Sequence, residues 1–362
     1  MFFKEKNIFY NKNMLFENNK KLPKYKYNLS YEYKKLFLQK KICIISGGGT
    51  NIYKMLGCLA TYYNSGLLKT LYEGRNDIWL VGTSAGALIA FVLSMNLNIQ
   101  ELSDYVYKDI LPIKIIDIGP KSIITLPFLG YISNNKDKKN LIADILKFAK
   151  LSVDITFEEL YAINGKNLVI IGCDYQKNTI IYMSKFTTPN VKVIDAINAS
   201  SNVPILWKST LIEIKNTKYY VSDGALLANY GNDLFNPLSL FYLPKDPYYN
   251  HDKLPPLLTQ KNTFGIVNAT HLNLENNTMK SKKYVNIIKT FLYITKTLLS
   301  DQNKSLGPII LSQSITINIS EEKLSALTKE AFYIDFIEGC NEGLESLKIY
   351  ETSAGKKLNN IY

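Results

Sequence analysis

Histidine and cysteine are scarce in this sequence, and their scarcity limits the chemistry that the chain can carry. Its 362 residues include two histidines and four cysteines. The cysteines lie far apart, with no CxxC pair, and the composition excludes a disulfide scaffold as well as a collagen-like or disordered chain. Cys43, Cys58 and Cys173 fall within apolar runs, where cysteine behaves as a small hydrophobic residue. We therefore expect a reducing, cytoplasmic location.

The sequence also lacks a recognisable export signal. Its first residues, MFFKEKNIFYNKN, contain neither a long apolar region nor a small-residue cleavage site. Residues 78–100 contain no charge and are long enough to span a bilayer. Because glycines and polar residues at 82–86 interrupt this stretch, we interpret it as a buried strand, a tight turn and a buried helix. The sequence thus predicts no signal peptide and no transmembrane helix.

Positive charge is abundant and unevenly distributed. The formal net charge is +12, and residues 1–41 contain eleven lysines against three glutamates. This excess predicts peripheral contact with an anionic membrane surface. A solvated tail without a partner is the simpler alternative. No nucleic-acid partner is expected, because the sequence has no RNP, zinc-finger or helix-turn-helix pattern and most of the charge lies outside the predicted core.

Apolar runs and glycine turns predict an α/β fold. Residues 42–46 and 78–82 are typical of buried strands, and residues 55–74 and 87–95 are typical of helices, the first ending at Gly74. This alternation of strands and helices predicts a mostly parallel sheet that is covered on both faces.

The predicted α/β domain spans residues 41–350. A basic N-terminal extension, residues 1–40, precedes it, and a C-terminal tail, residues 351–362, follows. Prolines and glycines interrupt the apolar residues of the segment 110–135, which we interpret as a lid.

Local patterns predict further elements in the middle of the domain. Thr156 and Glu159 match a capping box, in which each side chain accepts a hydrogen bond from the backbone of the other residue at the start of a helix. Residues 167–175 and 179–186 are separated by a short polar turn and predict a β-hairpin. Residues 210–225 predict a strand, a turn and a second strand.

Residues 82–86, GTSAG, form a GxSxG pentapeptide between an apolar strand and an apolar helix. The turn that presents such a serine is strained, and Gly82 and Gly86 are required because larger side chains would collide with the neighbouring strand and helix. The N-terminus of the following helix favours negative charge on the serine oxygen and on an oxyanion. Ser84 is therefore the candidate nucleophile.

Three successive glycines, Gly47, Gly48 and Gly49, follow the first predicted strand. Without side chains, their backbone can approach a ligand closely and turn several N–H groups toward one point. Such donors stabilise an oxyanion, so the triplet is a candidate oxyanion hole. A plain tight turn or a dinucleotide-binding loop is the alternative, although the GxGxxG pattern is absent.

Asp223 follows the predicted strand KYYV and precedes Gly224 and Ala225. A carboxylate at the end of a strand lies at the edge of the sheet where α/β folds bind ligands. Asp223 is therefore the candidate partner of Ser84.

The glycine triplet, GTSAG and DGA, in this order, resemble the pattern of the patatin-like phospholipases. Residues 199–207, ASSNVPILW, resemble the segment before the aspartate strand in that family, and Asn229 matches an asparagine that follows it. The resemblance covers most of the chain, from about Lys41 to about residue 350. It implies a three-layer α/β/α sandwich with a mostly parallel central sheet.

The resemblance also implies a mechanism. Ser84 would attack an ester carbonyl, Asp223 would accept its proton without a histidine, and the glycine triplet would donate N–H groups to the oxyanion. The implied enzyme is a phospholipase A or lysophospholipase acting on phospholipids or other lipid esters at a membrane. No cofactor and no metal are implied.

Three positions depart from the family pattern. The family follows its glycines with x-Arg/Lys-Gly, whereas this chain has Asn51 and Ile52, with Lys54 as a cation close by. Gly231 replaces the usual proline after the aspartate motif. These departures leave open a catalytically weak lipid-binding protein of the same fold.

A second enzymatic alternative is an α/β-hydrolase with a Ser-His-Asp triad. His271 follows Ser84 and Asp223 in the order that such enzymes use. The DGA motif argues against this alternative, because a triad leaves the motif unexplained.

Overall fold

The computed structural model describes residues 21–68, 78–112, 131–133, 135–231, 234, 262–269, 314–318 and 328–359. His251, His271 and most of the predicted lid segment lie outside the described residues.

Ten strands lie within the described ranges: β1 (Ile42–Ile45), β2 (Trp79–Thr83), β3 (Tyr131–Ser133), β4 (Asn167–Asp174), β5 (Thr179–Ser184), β6 (Ile205–Trp207), β7 (Thr210–Ile214), β8 (Thr217–Asp223), β9 (Thr263–Ala269) and β10 (Ser314–Asn318). Eight of them form the central sheet in the order β10-β9-β1-β2-β4-β8-β7, with β5 also paired to β4. The ladders from β10 to β4 are parallel, and those that join β5, β7 and β8 are antiparallel. The sheet is therefore mostly parallel, as predicted. Strands β3 and β6 form a separate pair.

Nine α-helices accompany these strands in the same part of the chain: α1 (Tyr31–Phe37), α2 (Ile52–Asn64), α3 (Ala85–Ser94), α4 (Ile99–Tyr105), α5 (Lys136–Phe148), α6 (Phe157–Asn164), α7 (Val193–Ser200), α8 (Ala225–Ala228) and α9 (Lys329–Asn359). The predicted capping box at the start of α6 is confirmed, because Thr156 and Glu159 each accept a hydrogen bond from the backbone of the other. No helix among the described residues is long and apolar enough to cross a membrane.

The end of α2 differs from the sequence prediction. The helix ends at Asn64 and does not continue to Gly74. Gly66, two residues later, has a φ of +82°, a left-handed conformation that glycine adopts without strain. Its N–H donates to the carbonyl of Tyr63, so the helix is interrupted here. The prediction of one continuous helix was therefore wrong at Ser65 and Gly66, whereas Leu67 and Leu68 are helical again and residues 69–77 lie outside the described residues.

Apolar clusters cover both faces of the central sheet. The larger cluster includes Cys43 and Ile45 of β1 together with residues of α2, α3, α5, α7 and α9. The smaller cluster includes Ile42 and Ile44 of the same strand together with Ala228 of α8. Successive side chains of a strand point to opposite faces, so β1 is buried on both. These layers confirm the predicted α/β/α sandwich.

Part of the basic N-terminal region packs against this domain. Leu22, Leu29 and Phe37 are buried in the larger apolar cluster. The ring of Phe37 makes an edge contact with Phe264 of β9 at a centroid distance of 5.2 Å. The described part of this region is therefore attached to the core, although lysines dominate its composition.

The long helix α9 packs directly against α2. A Cβ atom added to Gly57 of α2 would lie 2.0 Å from the carbonyl oxygen of Phe336. A Cβ added to Gly339 of α9 would lie 1.9 Å from the carbonyl oxygen of Lys54. The two backbones thus touch through glycines. This packing fixes α2, and hence the glycine loop before it.

Candidate active site

Two strands that run toward each other build the site. Strand β5 occupies one edge of β4, so both β2 and β8 pair with its other edge. β2 is parallel to β4 and ends where Thr83 pairs with Ile171. β8 is antiparallel to β4 and ends where Asp223 pairs with Gly172, the next residue. The carboxyl ends of β2 and β8 therefore meet, and Ser84 and Asp223 are neighbours.

Ser84 lies in a strained turn between β2 and α3. Its φ of 55° and ψ of −124° fall outside the usual regions for a residue with a side chain. A Cβ at Gly82 would lie 2.3 Å from the carbonyl oxygen of Gly86, and a Cβ at Gly86 would lie 2.4 Å from that of Ile45. The predicted need for both glycines is thus explained by direct backbone contacts. Helix α3 begins at the next residue, Ala85, so its N-terminus lies beside the serine.

A buried hydrogen bond joins the two candidate residues. The Ser84 hydroxyl donates to Oδ2 of Asp223 at 2.7 Å. The other oxygen, Oδ1, accepts the N–H of Ala225 at 2.9 Å. Ser84 is 7% exposed and Asp223 is 4% exposed, so water has little access to the pair. A serine hydroxyl bonded to a carboxylate in such an environment has the arrangement of a nucleophile and its base.

Burial raises the pKa of Asp223 to about 6 from its ordinary value of 3.8. The loss of hydration disfavours the charged carboxylate, and this effect is the largest. The hydrogen bonds from Ala225 and Ser84 and the charge of Lys138 act in the opposite direction. The carboxylate is thus ionised at neutral pH but is a stronger base than an exposed aspartate.

The end of α7 and the two residues that follow it, residues 198–202, hold both partners and were not assigned a role from the sequence. We call this segment the 198–202 turn. The Ser200 hydroxyl accepts the N–H of Ser84 at 2.8 Å and donates to the carbonyl of Ile171. The carbonyl of Asn202 accepts the N–H of Asp223 at 2.9 Å, and that of Ser200 accepts the N–H of Gly224 at 3.3 Å. The only sequence signal for this turn was the segment ASSNVPILW. Pattern alone could not reveal which backbone groups it contacts.

The glycine triplet lies directly against the serine. A Cβ added to Gly47 would lie 3.0 Å from Cβ of Ser84 and 2.8 Å from Oδ1 of Asn229. The N–H of Gly47 donates to the carbonyl of Asn229 at 3.3 Å. Within the described ranges, the N–H groups of Gly48 and Gly49 have no acceptor. They are therefore better candidates for oxyanion donors than Gly47 is.

The residues that depart from the family pattern lie close to this loop. Asn51 is buried just before α2, and its N–H donates to the carbonyl of Gly48 at 3.0 Å. Lys54, the alternative cation, pairs with Glu338 of α9 at 2.7 Å. The side chain of Lys54 is thus paired with α9, the helix that packs against α2.

The edge of the sheet that carries Ser84 and Asp223, which we call the dyad, also carries exposed apolar side chains. Because β8 is antiparallel to β4, the hairpin of β7 and β8 extends past the point where the parallel strands end. Leu211 and Tyr220 lie opposite each other on this hairpin and are 50% and 53% exposed. Tyr175 follows β4 and is 46% exposed. The carboxylate of the preceding residue, Asp174, accepts the N–H of Tyr220 at 3.2 Å.

A lysine borders these apolar residues, which we call the hairpin surface (Tyr175, Leu211 and Tyr220). Lys218 is exposed and lies two residues before Tyr220, so the two side chains point to the same face of β8. Lys177 is also exposed, but its ammonium group lies 4.2 Å from the ring centroid of Tyr219, whose side chain points to the opposite face. Glu213 lies opposite Lys218 and is the acidic residue of the same hairpin face. The surface therefore combines apolar and positively charged groups.

No group of three or more histidine, cysteine, aspartate or glutamate side chains within the described ranges is arranged to hold a metal ion. The four cysteines are buried as free thiols. This agrees with the core role predicted for Cys43, Cys58 and Cys173, and Cys340 of α9 is buried as well.

Comparisons with known sequences agree with the motifs of this chain. The family model described as patatin-like phospholipase matches residues 44–237, more than half of the chain. The probable lipid hydrolase 463L of invertebrate iridescent virus 6 is 24% identical over 292 residues, which cover 80% of this chain and 89% of that protein.

Two solved structures are also similar. The match to VipD from Legionella pneumophila has a TM-score of 0.45 and 16% identity, and it covers 87% of this chain and 67% of that one. The match to the type III effector protein ExoU has a TM-score of 0.35 and 13% identity, and it covers 86% of this chain and 54% of that one.

Proposed function

This chain belongs to the patatin-like phospholipase family, and on that basis we propose that it is a lipid acyl hydrolase of the phospholipase A or lysophospholipase type. Ser84 is the nucleophile and Asp223 is its base. The observation that supports this proposal most directly is the 2.7 Å hydrogen bond between them, in a buried and strained turn. The name of the viral relative, a probable lipid hydrolase, supports the same substrate class.

In the first half of the reaction, Oγ of Ser84 attacks the carbonyl carbon of a fatty acyl ester while Oδ2 of Asp223 takes the hydroxyl proton. The carbonyl oxygen becomes an oxyanion, which the N–H groups of Gly48 and Gly49 and the N-terminus of α3 stabilise. When the tetrahedral intermediate collapses, Asp223 returns the proton to the alkoxide of the departing alcohol. The products are a free alcohol, such as a lysophospholipid, and an acyl group esterified to Ser84.

In the second half, a water molecule attacks the acyl-serine carbonyl and Asp223 accepts its proton. Collapse of the second intermediate releases the fatty acid and returns the proton to Oγ of Ser84. Asp223 can serve as both base and acid because burial brings its pKa to about 6, near neutral pH.

Contact with an anionic membrane brings the enzyme to its substrate. The hairpin surface supports this part of the proposal, since its apolar side chains can enter the headgroup region while Lys218 faces anionic lipids. Replacing Leu211 and Tyr220 by serine is expected to weaken sedimentation with phosphatidylglycerol vesicles. Ile163→Ser is the matched control, because Ile163 is 61% exposed near the start of β4, at the opposite edge of the sheet. An equal loss of vesicle binding in the Leu211 and Tyr220 variant and in Ile163→Ser would contradict a role for the hairpin surface.

Hydrolysis of mixed phospholipid vesicles, with the released products identified by mass spectrometry, tests the proposed reaction. Ser84→Ala and Asp223→Asn are each expected to lower the rate by about a thousandfold or more. Ser94→Ala is the matched control, because Ser94 is a buried serine at the far end of α3, the helix that follows Ser84, and its hydroxyl donates to the carbonyl of Phe91. It should retain activity. The ratio of free fatty acids from the two ester positions gives the positional specificity.

The alternatives predict different results in the same assay. A triad enzyme would also lose its activity in His271→Ala. A folded wild-type protein that binds vesicles but releases no fatty acid from any ester would favour the catalytically weak lipid-binding protein.

A further inference from the structure

The side chain of Lys138, in the first turns of α5, is buried beside the dyad. It is 7% exposed, which is unusual for lysine because its charge is strongly hydrated in water. Within the described ranges, no carboxylate lies within salt-bridge distance of its ammonium group. No sequence pattern distinguishes this lysine from the other lysines of residues 136–139, KDKK.

Oxygen atoms of the 198–202 turn satisfy the ammonium group. It donates to the carbonyl of Asn198 at 3.3 Å, to the carbonyl of Ser201 at 2.8 Å and to Oδ1 of Asn202 at 2.5 Å. It also lies 4.4 Å from the ring centroid of Trp207, a cation–π contact. An ammonium group has three N–H donors, whereas a neutral amine has two. Three oxygen acceptors and an aromatic face therefore favour the charged form.

The same turn holds the backbones of both dyad residues. Ser200 accepts the N–H of Ser84, and Asn202 accepts the N–H of Asp223. Lys138 bonds to residues on both sides of Ser200, so it ties the turn to α5. A shift of the turn would move the serine and the aspartate relative to each other.

Charge provides a second link between the lysine and the dyad. The positive charge of Lys138 lowers the pKa of Asp223, and the carboxylate of Asp223 raises the pKa of Lys138. Burial has the larger effect on both groups: it raises the pKa of the aspartate and lowers that of the lysine to about 7.

Other titratable groups near this pair are already neutral or paired. Lys139 forms a salt bridge with Asp195 of α7 at 2.8 Å and is partly exposed. Burial raises the pKa of Cys173 of β4 to about 12, so its thiol is neutral. The carboxylate of Asp174, on the same strand, accepts backbone N–H groups of its own turn and of Tyr220. Lys138 is therefore the cation that acts on Asp223 from the described elements packed around it.

We propose that Lys138 is a positioning residue of the dyad, which fixes the 198–202 turn and places a positive charge that favours the ionised form of the Asp223 carboxylate. This inference rests on the proposed function for its effect on rate. The coupling between the side chains of Lys138 and Asp223, in contrast, does not depend on the proposed function.

The pH profile of kcat/KM on a soluble ester distinguishes this role from a merely structural one. Lys138→Met removes the charge and the hydrogen bonds, and Lys138→Gln removes the charge but retains a donor. In both variants the acid limb is expected to move to higher pH by about one unit, because an opposite charge near a carboxylate lowers its pKa by about that amount or more. Lys139→Met, which removes the same charge from the next residue, should leave the limb in place. If both Lys138 variants had a lower kcat/KM but an acid limb at the wild-type pH, the electrostatic part of the proposal would be overturned.

A titration of the wild-type protein tests the coupling even if the Lys138 variants do not fold or no ester is cleaved. Protein labelled with 13C at lysine Cε is expected to show one buried ammonium that titrates near pH 7. In Asp223→Asn its pKa should fall further, because linkage between two sites is reciprocal. In Ser84→Ala, which keeps the carboxylate, it should stay near the wild-type value. An identical lysine titration in wild type and Asp223→Asn would overturn the proposal, whereas the expected shift without any esterase activity would contradict only the proposed function.

Discussion

Thr83 and Asp223 end two strands that approach each other along one edge of β4, where they pair with the consecutive residues Ile171 and Gly172. The distance between the nucleophile and its base is therefore set by strand register, not by loop conformation. A site held by regular elements keeps its geometry better than one held by loops. Loss of the hydrogen bond between Ser84 and Asp223 thus requires a change in the sheet or in the 198–202 turn, which accepts the backbone N–H groups of both residues.

The buried carboxylate is expected to reduce stability at neutral pH. The pKa of Asp223 is raised from 3.8 to about 6 in the folded protein, so the folded state disfavours the ionised form above that pH. This cost disappears as the pH falls through 6 toward 3.8, since the folded state then binds a proton that the unfolded state does not. Asp223→Asn removes the charge and keeps an acceptor for Ala225. It should raise the free energy of unfolding at pH 8 by up to about 3 kcal/mol.

Urea denaturation of wild type and Asp223→Asn at several pH values measures this difference. The gain should shrink toward zero near pH 4. A gain that is constant across this range would instead indicate a pH-independent packing effect. A loss of stability at pH 8 would contradict the predicted cost of the charge.

The rate of ester cleavage is expected to follow the ionisation of the same aspartate. Asp223 must be deprotonated to accept the serine proton, so kcat/KM on a soluble ester should fall tenfold per pH unit below about pH 6. An exposed aspartate would maintain the rate to about pH 4. A soluble substrate is preferable because the ionisation of vesicle lipids would add its own pH dependence. An acid limb near pH 4 would show that the base is not the buried carboxylate.

The Ser200 hydroxyl is expected to support the strained conformation of the nucleophile. Ser200→Ala leaves the N–H of Ser84 and the carbonyl of Ile171 without this partner inside the protein, and unsatisfied buried groups cost roughly 1–3 kcal/mol. The kcat should decrease by about tenfold or more, with a smaller change in KM, because the substrate does not contact this hydroxyl. Ser103→Ala is the matched control, since Ser103 is a buried serine whose hydroxyl donates to the carbonyl of Ile99. Equal kinetics in wild type and Ser200→Ala would refute this role.

Sequence patterns predicted those parts of the fold and the site that depend on local geometry. The apolar runs predicted β1 and β2, and the spacing of Thr156 and Glu159 predicted the start of α6. The serine turn was also predictable, because contacts between the backbones of β1, β2 and α3 exclude side chains at Gly82 and Gly86.

Features that depend on distant contacts could not be predicted in this way. Lys138 is one of several lysines in an unremarkable helix, and its position beneath the 198–202 turn results from how α5 packs against α7. Spacing could not foresee that Asn229 accepts the N–H of Gly47, since the two residues lie far apart in the sequence. Spacing likewise suggested a helix to Gly74, and only the backbone conformation shows why α2 ends at Asn64.

The contact between α2 and α9 predicts an effect opposite to the usual result of a glycine-to-alanine change. In an exposed helix, alanine is more stable than glycine by about 1 kcal/mol. In Gly57→Ala, however, the new methyl group would lie 2.0 Å from the carbonyl oxygen of Phe336, so the helices must separate. We expect the free energy of unfolding to fall by roughly 3 kcal/mol or more, measured by thermal or urea denaturation, because backbone atoms cannot move aside as a side chain can.

Gly343→Ala, in α9, is the matched control for Gly57→Ala. Its methyl group would lie 3.1 Å from the carbonyl oxygen of Cys58, a contact that a shift of a few tenths of an ångström relieves. Its loss should be clearly smaller, and equal losses in the two variants would show that the distance between the backbones does not set the stability of this contact.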